Sequence, residues 1–288
     1  MRAYTLNWKN RQLLLGPKTT IMGIVNVTPD SFSDGGRFNS VEAAVAQGLR
    51  LAKAGAGIID IGGESTRPFA DEVSAQEEIT RVVPVIKELA GRIRTPISID
   101  TTKADVAQAA IDAGACIIND ISAMHMDRQM PETAARLGVP VILMHMKGSP
   151  RTMQSNPTYD DVVAEVLEYL RNAIELGVKA GIQRHNIIID PGIGFGKTGY
   201  HNLMLINQLA AFNELGAPIL VGPSRKRFIR DILKDPSQED LSPDRPEVET
   251  GTQAAVAASI LNGAHIIRVH NVANTVAMVK VINAIRNV

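Results

Sequence analysis

Asn186-Ile187-Ile188-Ile189-Asp190-Pro191-Gly192-Ile193-Gly194-Phe195-Gly196-Lys197 is the stretch on which the reading of the chain turns. Three β-branched apolar residues run into a carboxylate and then into a glycine-rich turn. A short apolar run bounded by turn residues reads as a strand buried on both faces. The carboxylate stands where that strand ends, and the glycines permit a sharp bend or a close approach of backbone to ligand. Gly196-Lys197-Thr198 also raises a phosphate-loop reading, which counting rejects. The Walker pattern needs a glycine where this chain has Pro191. Gly-x-Gly-x-x-Gly fails as well, because its sixth position from Gly192 is Lys197. The turn is better read as a support for Asp190.

The same unit recurs outward in both directions. Apolar runs end in Asn26, Asp60, Asp100, Asn119-Asp120, His145, Asp190, Gly222 and Arg268-Val269-His270, eight runs in all. Helical patterns lie between them, among them Val41–Ala54, Ser74–Ala90, Ala104–Ala113, Tyr159–Ala180, Asn202–Phe212 and Gln253–Leu261. Ser40 and Asp105 read as capping signals near helix starts. Gly55, Gly91, Gly114, Gly138, Gly181, Gly216 and Gly263 fall where helices should end. Strand, helix, glycine, strand repeated eight times implies an α/β fold, a single (β/α)8 TIM barrel over residues 1–288. An open doubly wound sheet is the alternative. Residues 3–15, with the polar turn Lys9-Asn10-Arg11, read as a short N-terminal β-hairpin, a lid or plug outside the barrel. Residues 27–39, 65–71, 146–158 and 235–249 read as long loops, which in a compact domain usually carry function.

Composition narrows the function. Hydrophobic residues make up 45% of the 288, enough for a large core, but aromatics only 4%, so aliphatic side chains must fill it. Lys+Arg and Asp+Glu are 30 each, which argues against a nucleic-acid binder. The one cysteine, Cys116, lies in an apolar run and reads as core; no disulfide is possible within the chain. No apolar run approaches the roughly eighteen residues of a membrane span, and no signal peptide is evident. The expectation is a cytoplasmic protein without nucleic-acid or membrane partners.

Barrel enzymes work at the carboxyl ends of their strands. For any single polar residue there, notably Asp60 or Asp120, capping of the next helix is an equal alternative. It is a poor account of all of them, since a carboxylate in a partly buried mouth needs a partner. The rim divides chemically. Asp100, Asn119 and Asp190 suit a flat heterocycle bearing amino and ring N–H donors. Arg67, Arg268 and His270 suit a phosphate or diphosphate, and Lys226 fits either half. Asn26 can offer an oxygen to Mg2+, which takes few protein ligands when phosphates supply the rest. Of Met144 and Met146, which flank His145, one reads as pocket wall and one as core. His125, His185 and His201 read as surface or loop residues. None of the six histidines forms His-Glu-x-x-His, which argues against zinc. Ser224 lacks a nucleophile-elbow context and an obvious His–Asp pair.

Gly23-Ile24-Val25-Asn26-Val27-Thr28-Pro29-Asp30-Ser31-Phe32-Ser33-Asp34-Gly35-Gly36 and Asp60-Ile61-Gly62-Gly63-Glu64-Ser65-Thr66-Arg67-Pro68 resemble the first two signatures of the dihydropteroate synthase family. Asp190–Lys197, Ser224-Arg225-Lys226 and Arg268-Val269-His270 follow in the family's order. The resemblance implies a transferase of folate biosynthesis. It would join 7,8-dihydropterin-6-ylmethyl diphosphate to 4-aminobenzoate, forming 7,8-dihydropteroate and pyrophosphate, and it would be a sulfonamide target. It implies pterin contacts at Asp100, Asn119, Met144, Asp190, Phe195 and Lys226. Diphosphate contacts fall on Thr66, Arg67, Arg268 and His270, and aminobenzoate contacts on Phe32, Thr66, Pro68, Lys226 and Arg227. Asp100, Lys226, Arg268 and His270 would serve catalysis, Asn26 would ligate Mg2+, and a homodimer through late helices is expected. The chain departs from the family at Arg227, where a serine is frequent, at Pro223, and at Asn271, where an aspartate is usual. Two other readings stay open: a methyltetrahydrofolate-dependent methyltransferase on the same barrel, and a non-catalytic pterin-binding paralogue.

Overall fold

Every one of the eight apolar runs forms a strand in the computed structural model, which describes residues 2–9, 11–28, 36–65, 72–237 and 239–286, with no side chains for 36–40. The strands are β1 Tyr4–Trp8, β2 Arg11–Leu15, β3 Thr20–Asn26, β4 Ile58–Gly62, β5 Ile97–Asp100, β6 Ile117–Asp120, β7 Val141–Met144, β8 Ile187–Asp190, β9 Leu220–Val221 and β10 Ile266–Val269. The helices are α1 Gly36–Ala54, α2 Ala75–Ala90, α3 Ala104–Ala113, α4 Met130–Leu137, α5 Val162–Ala180, α6 Gly199–Asn207, α7 Arg227–Leu233, α8 Pro246–Leu261 and α9 Val272–Arg286. The sheet runs β8-β7-β6-β5-β4-β3-β10-β9, parallel throughout. A single parallel bridge from Ile189 to Ile219 joins its two ends into a nearly closed barrel. Strands pressed between barrel interior and outer helices are buried on both faces, which is why they are Ile-rich without alternation. Ile58, Ile59, Ile61, Ile117, Ile118 and Ile187 to Ile189 are fully buried.

Register brings the strand ends to one level. Asn26 pairs with Gly62, Gly62 with Asp100, Asp100 with Asn119, and Met144 with Asp190. The hairpin of β1 and β2 lies at the other end. The Asn7 N–H donates to Asn186 Oδ1 at 2.8 Å, and Asn186 Nδ2 donates to the Asn7 carbonyl at 2.6 Å. The Arg2 carbonyl is 3.2 Å from His265 Nε2. Asn186 and His265 stand just before β8 and β10, so the hairpin plugs the amino end of the barrel, with Leu6, Trp8 and Leu15 buried. Cys116 is buried in the core, as expected, and burial pushes its thiol pKa up.

Several boundaries differ from the sequence reading. Helix α1 begins at Gly36, so Ser40 lies inside it rather than capping it. Helix α5 begins at Val162, because Asp161 accepts the N–H groups of Val163 and Ala164. Helix α8 begins at Pro246, where a ring-fixed φ suits a first turn. Two of the long loops are therefore shorter than expected. Helix α6 stops at Asn207, and Leu209–Leu215 continues as a 3-10 helix. Gly91 closes α2 in right-handed geometry (φ −76°), unlike the left-handed Gly114, Gly138, Gly181 and Gly216.

Candidate functional site

Four strand ends are tied into one network at the carboxyl mouth of the barrel. Arg268, on β10, places Nε 2.6 Å from Asp60 Oδ2 and Nη2 2.6 Å from Asp100 Oδ2. Asn119 Nδ2 donates to the same Asp60 oxygen at 3.1 Å. Asp60 is fully buried, and its Oδ1 has no hydrogen-bond partner among the described residues. Among the described residues it caps no helix: its work is to anchor Arg268 and Asn119. Asp120, by contrast, does serve its own turn, accepting from Ser122 N, Ser122 Oγ and Met124 N. In sequence the two aspartates look alike, and only side-chain geometry separates them. The structure also joins what that reading divided, because Arg268 already stands among the acceptors.

Asp190 ends β8 and braces the glycine turn, its Oδ1 accepting the Gly192 N–H at 2.7 Å. Gly192 (φ +71°) lies so close to His145 that any Cβ would overlap the His145 carbonyl oxygen. Gly194 (φ +84°) packs on the Lys226 stem, where a Cβ would sit 2.8 Å from Cδ. These glycines let the turn lie on its neighbours, and that places Phe195 under the ammonium of Lys226, 4.0 Å from the ring centroid. Phe195 belongs to a small apolar cluster with Ile121, Met144, Met146 and Met153, separate from the main core. Both methionines beside His145 are thus in this cluster, where one was expected in the core.

Lys197, which the phosphate-loop count had set aside, points inward. It is 3% exposed, with Nζ 2.8 Å from His145 Nδ1 and 2.9 Å from the Phe195 carbonyl. Burial pulls its pKa down to about 7, opposed by Asp190 and reinforced by Lys226. Burial, with the Lys197 charge, pushes His145 down to about 2, so the imidazole is neutral. Together they form a strut between the exit of β7 and the glycine turn. A lysine directly after Gly-x-Gly-x-Gly was the one sequence signal for it.

Lys226 precedes the first residue of α7, and burial with the nearby Arg268 charge lowers its pKa to about 8 against the pull of Asp190 and Asp100. It therefore remains largely cationic at neutral pH. Burial raises Asp100 to about 7, with Arg268 opposing and Asp60, Glu78 and Asp120 adding to the rise. Burial likewise raises Asp190 to about 6, with the Gly192 N–H and the Lys226, Lys197 and Arg268 charges opposing. Ser224 has a partner the sequence did not reveal: its Oγ is 3.0 Å from His270 Nδ1 and accepts the His270 N–H at 3.3 Å. Asn271 accepts the Asn274 N–H at the start of α9, a duty an aspartate would also perform.

Asn26 closes β3, half-buried, next to Gly62 in register. Its single amide oxygen is the scale of contribution Mg2+ takes beside phosphates, and the described residues hold no cluster of three His, Cys, Asp or Glu for a metal. Arg227 is not drawn in: its side chain is 74% exposed and pairs with Asp231 at 3.4 Å. His125 and His185 are exposed, as the surface reading required, whereas His201 is half-buried in the first turn of α6, where it shares a capping box with Thr198. Phe32, Thr66, Arg67 and Pro68 lie outside the described residues. The rest make an acceptor-lined apolar slot flanked by cations, suited to a flat, nitrogen-rich ring carrying an anionic arm.

The chain is similar to known proteins along most of its length. The family model described as "Pterin binding enzyme" matches residues 22–270. A dihydropteroate synthase of Synechocystis sp. is 45% identical over 270 residues, covering 94% of this chain and 91% of its own. A solved dihydropteroate synthase of Xanthomonas albilineans with 4-aminobenzoic acid superposes with a TM-score of 0.91 at 44% identity, covering 100% of both chains. The same organism's enzyme in complex with 7,8-dihydropteroate gives 0.87 at 42% identity, covering 99% of each.

Proposed function

Since the chain belongs to the pterin-binding enzyme family, within its dihydropteroate synthases, we propose that Asp100, Asn119, Asp190 and Lys226 hold the pterin over Met144 and Phe195. Its activity is to join 7,8-dihydropterin-6-ylmethyl diphosphate to 4-aminobenzoate, giving 7,8-dihydropteroate and pyrophosphate in folate biosynthesis. The observation that carries the residue assignment is the convergence of the buried Asn119 and Asp190 with the half-buried Asp100 and Lys226 above an apolar wall.

The aminobenzoate nitrogen forms a bond to the pterin's exocyclic methylene carbon, the carbon–oxygen bond to diphosphate breaks, and the nitrogen loses a proton. The amine is already neutral at pH 7, so no strong base is required. Charge develops on the leaving diphosphate, and fixed cations there stabilise the transition state. Arg268 supplies one such cation and Arg67 is assigned as another, with His270 and Thr66 as hydrogen-bonding partners of the diphosphate. Two Arg268 donors are engaged by Asp60 and Asp100, which fixes the guanidinium before substrate arrives. Asp100, against the electron-rich pterin, offsets positive charge growing on the methylene carbon. Asn26 would hold Mg2+, which when bound would neutralise diphosphate charge. Phe32, Thr66, Pro68 and Lys226 are assigned to aminobenzoate. Arg227 is the weakest of that set, since its charge lies on the outer side of α7.

The assignment is tested by mixing the protein with both substrates and Mg2+ and following pyrophosphate. Release supports it; pterin binding without release favours the non-catalytic paralogue, and methyl transfer favours the methyltransferase. Lys226→Ala removes a charged donor that contributes about 1.5–3 kcal/mol, so pterin affinity should fall about 10- to 100-fold and turnover with it. Wild-type kinetics in that variant would remove Lys226 from the site.

Pterin affinity should also fall as pH drops through about 7 and then about 6, because Asp100 and Asp190 must be ionised to accept ring N–H groups. The fold responds oppositely. Both groups have folded pKa values above the usual 3.8, so they favour the folded state at low pH and lose that contribution as pH rises to about 6–7. Calorimetric titration of pterin from pH 5 to 8 checks this; flat affinity would contradict it.

A homodimer is supported by large apolar side chains left in solvent on α8 and α9, Leu261, Val281 and Ile285. A cytoplasmic location is supported by the lone, buried, unpaired Cys116.

A further inference from the structure

Glu64 and Val73 are joined across the chain segment between them. Glu64 Oε1 accepts the Val73 N–H at 2.9 Å, just ahead of α2. Glu64 Oε2 is 2.5 Å from Lys103 Nζ, and the same ammonium is 2.7 Å from Glu78 Oε2 on α2. Glu78 is fully buried; burial raises its pKa, and Lys103 opposes the rise. Arg81 Nη1 donates to the Gly63 carbonyl at 2.7 Å, and a Cβ on Gly63 would sit 2.7 Å from Val82 Cγ1. The exit of β4 is therefore pinned to α2 at several points. Lys103 lies three residues beyond Asp100, whose neighbour Thr101 bonds through its N–H to the Asn119 carbonyl at 3.0 Å. A cavity lined by Glu64, Ser65, Glu78, Asp100 and Thr101 connects the two places.

We propose that Glu64 and Lys103 are positioning residues for the transfer reaction: together they clasp the points where the chain leaves β4 and re-enters α2, and couple them to the pterin carboxylate Asp100. The proposal rests on the reading that Thr66, Arg67 and Pro68, between those points in sequence, serve the diphosphate and aminobenzoate. The clasp is ionic on one side and a backbone hydrogen bond on the other, so both ends are held by one carboxylate. Misplacing reacting groups by about 1 Å can cost about 100-fold in rate. Lys103 cannot be removed alone without stranding buried Glu78, but Glu64 can, because the Lys103–Glu78 pair survives.

Glu64→Ala is therefore the test. Affinity for 6-methylpterin, which lacks the diphosphate, should stay within about twofold of wild type, while KM for aminobenzoate rises and kcat falls, each about tenfold. Glu64→Gln still accepts the Val73 N–H but, with a single oxygen, gives up Lys103, so it should show only part of the Glu64→Ala losses. The double variant Lys103→Met with Glu78→Gln leaves no unpaired buried charge, also keeps the Val73 bond, and should show the same partial losses. Wild-type KM and kcat in Glu64→Ala and the double variant would overturn the clasp. So would a loss confined to melting temperature and pterin affinity. Absence of pyrophosphate release by the wild-type protein would overturn the function assigned above, and this inference with it.

Discussion

Arg268→Ala is expected to lose stability and activity together. In the folded protein Arg268 is shared by Asp60 and Asp100, each at 2.6 Å, and its side chain is only 20% exposed. Without it Asp60, fully buried, retains Asn119 as its hydrogen-bond donor among the described residues. Removing one partner of a buried pair typically costs about 3–5 kcal/mol, because the other charge stays in a low-dielectric interior. The deficit has a pH signature. The lost guanidinium had been lowering the Asp100 pKa, so in the variant it rises further. Protonation then relieves the strain, and the deficit should shrink as pH falls from 7 towards 5. Urea unfolding at pH 5 and pH 7.5 reads this directly. Turnover at pH 7.5 should fall by about 100- to 1,000-fold, the usual loss when a fixed transition-state donor goes. Arg268→Lys should recover little, since one ammonium cannot span two carboxylates as a planar fork does. Near-wild-type stability and turnover would show that the network is incidental.

Gly192→Ala is the second large effect, and it acts through shape alone. Gly192 has φ +71°, and its added Cβ would overlap the His145 carbonyl. The neighbouring strand cannot yield easily, because the His145 N–H is bonded to the Asp190 carbonyl at 2.9 Å. The turn must swing away, and the Gly192 N–H must release Asp190 Oδ1. Left-handed backbone costs an alanine about 1–2 kcal/mol, and overpacking commonly adds about 1–3 kcal/mol more. In a chain of this size the melting temperature should drop by about 5–15 °C, and pterin affinity should fall because Asp190 and Phe195 move. Gly138→Ala is the control. It has a similar φ of +63° but nothing within 4 Å of the added Cβ, so it should cost the backbone strain only. Equal melting temperatures for the two variants would show that packing on His145 contributes nothing.

Much of the barrel was legible because its signals are local. A buried parallel strand is a short aliphatic run, and the run Ile187-Ile188-Ile189 carries its own end marker in Asp190. Eight repeats of that pattern leave few alternatives. Helix starts were read less well, because caps compete: Asp161 took the role at α5, and Pro246 opened α8 upstream of the expected Gln253. The hairpin was legible as a hairpin, but its position depends on Asn186 and His265, far away in sequence.

The sequence by itself determined that polar groups would stand at the carboxyl ends of eight strands, since strand length and run endings are nearest-neighbour properties. Only the tertiary structure decided which of those groups meet. Arg268 reaches Asp60 and Asp100 across 208 and 168 positions, a contact set by barrel closure and register. Only folding separated Asp60 from Asp120, turned Lys197 inward to His145, and left Arg227 outside on Asp231. The physical reason is that charge and hydrogen-bond energies depend on burial and on distances of a few ångströms between remote residues. Pattern along the chain records neither. The stretch from Asn186 to Lys197 shows both halves: its strand and carboxylate are written in order, while the close packing that forces its glycines comes from Met144, His145 and Lys226.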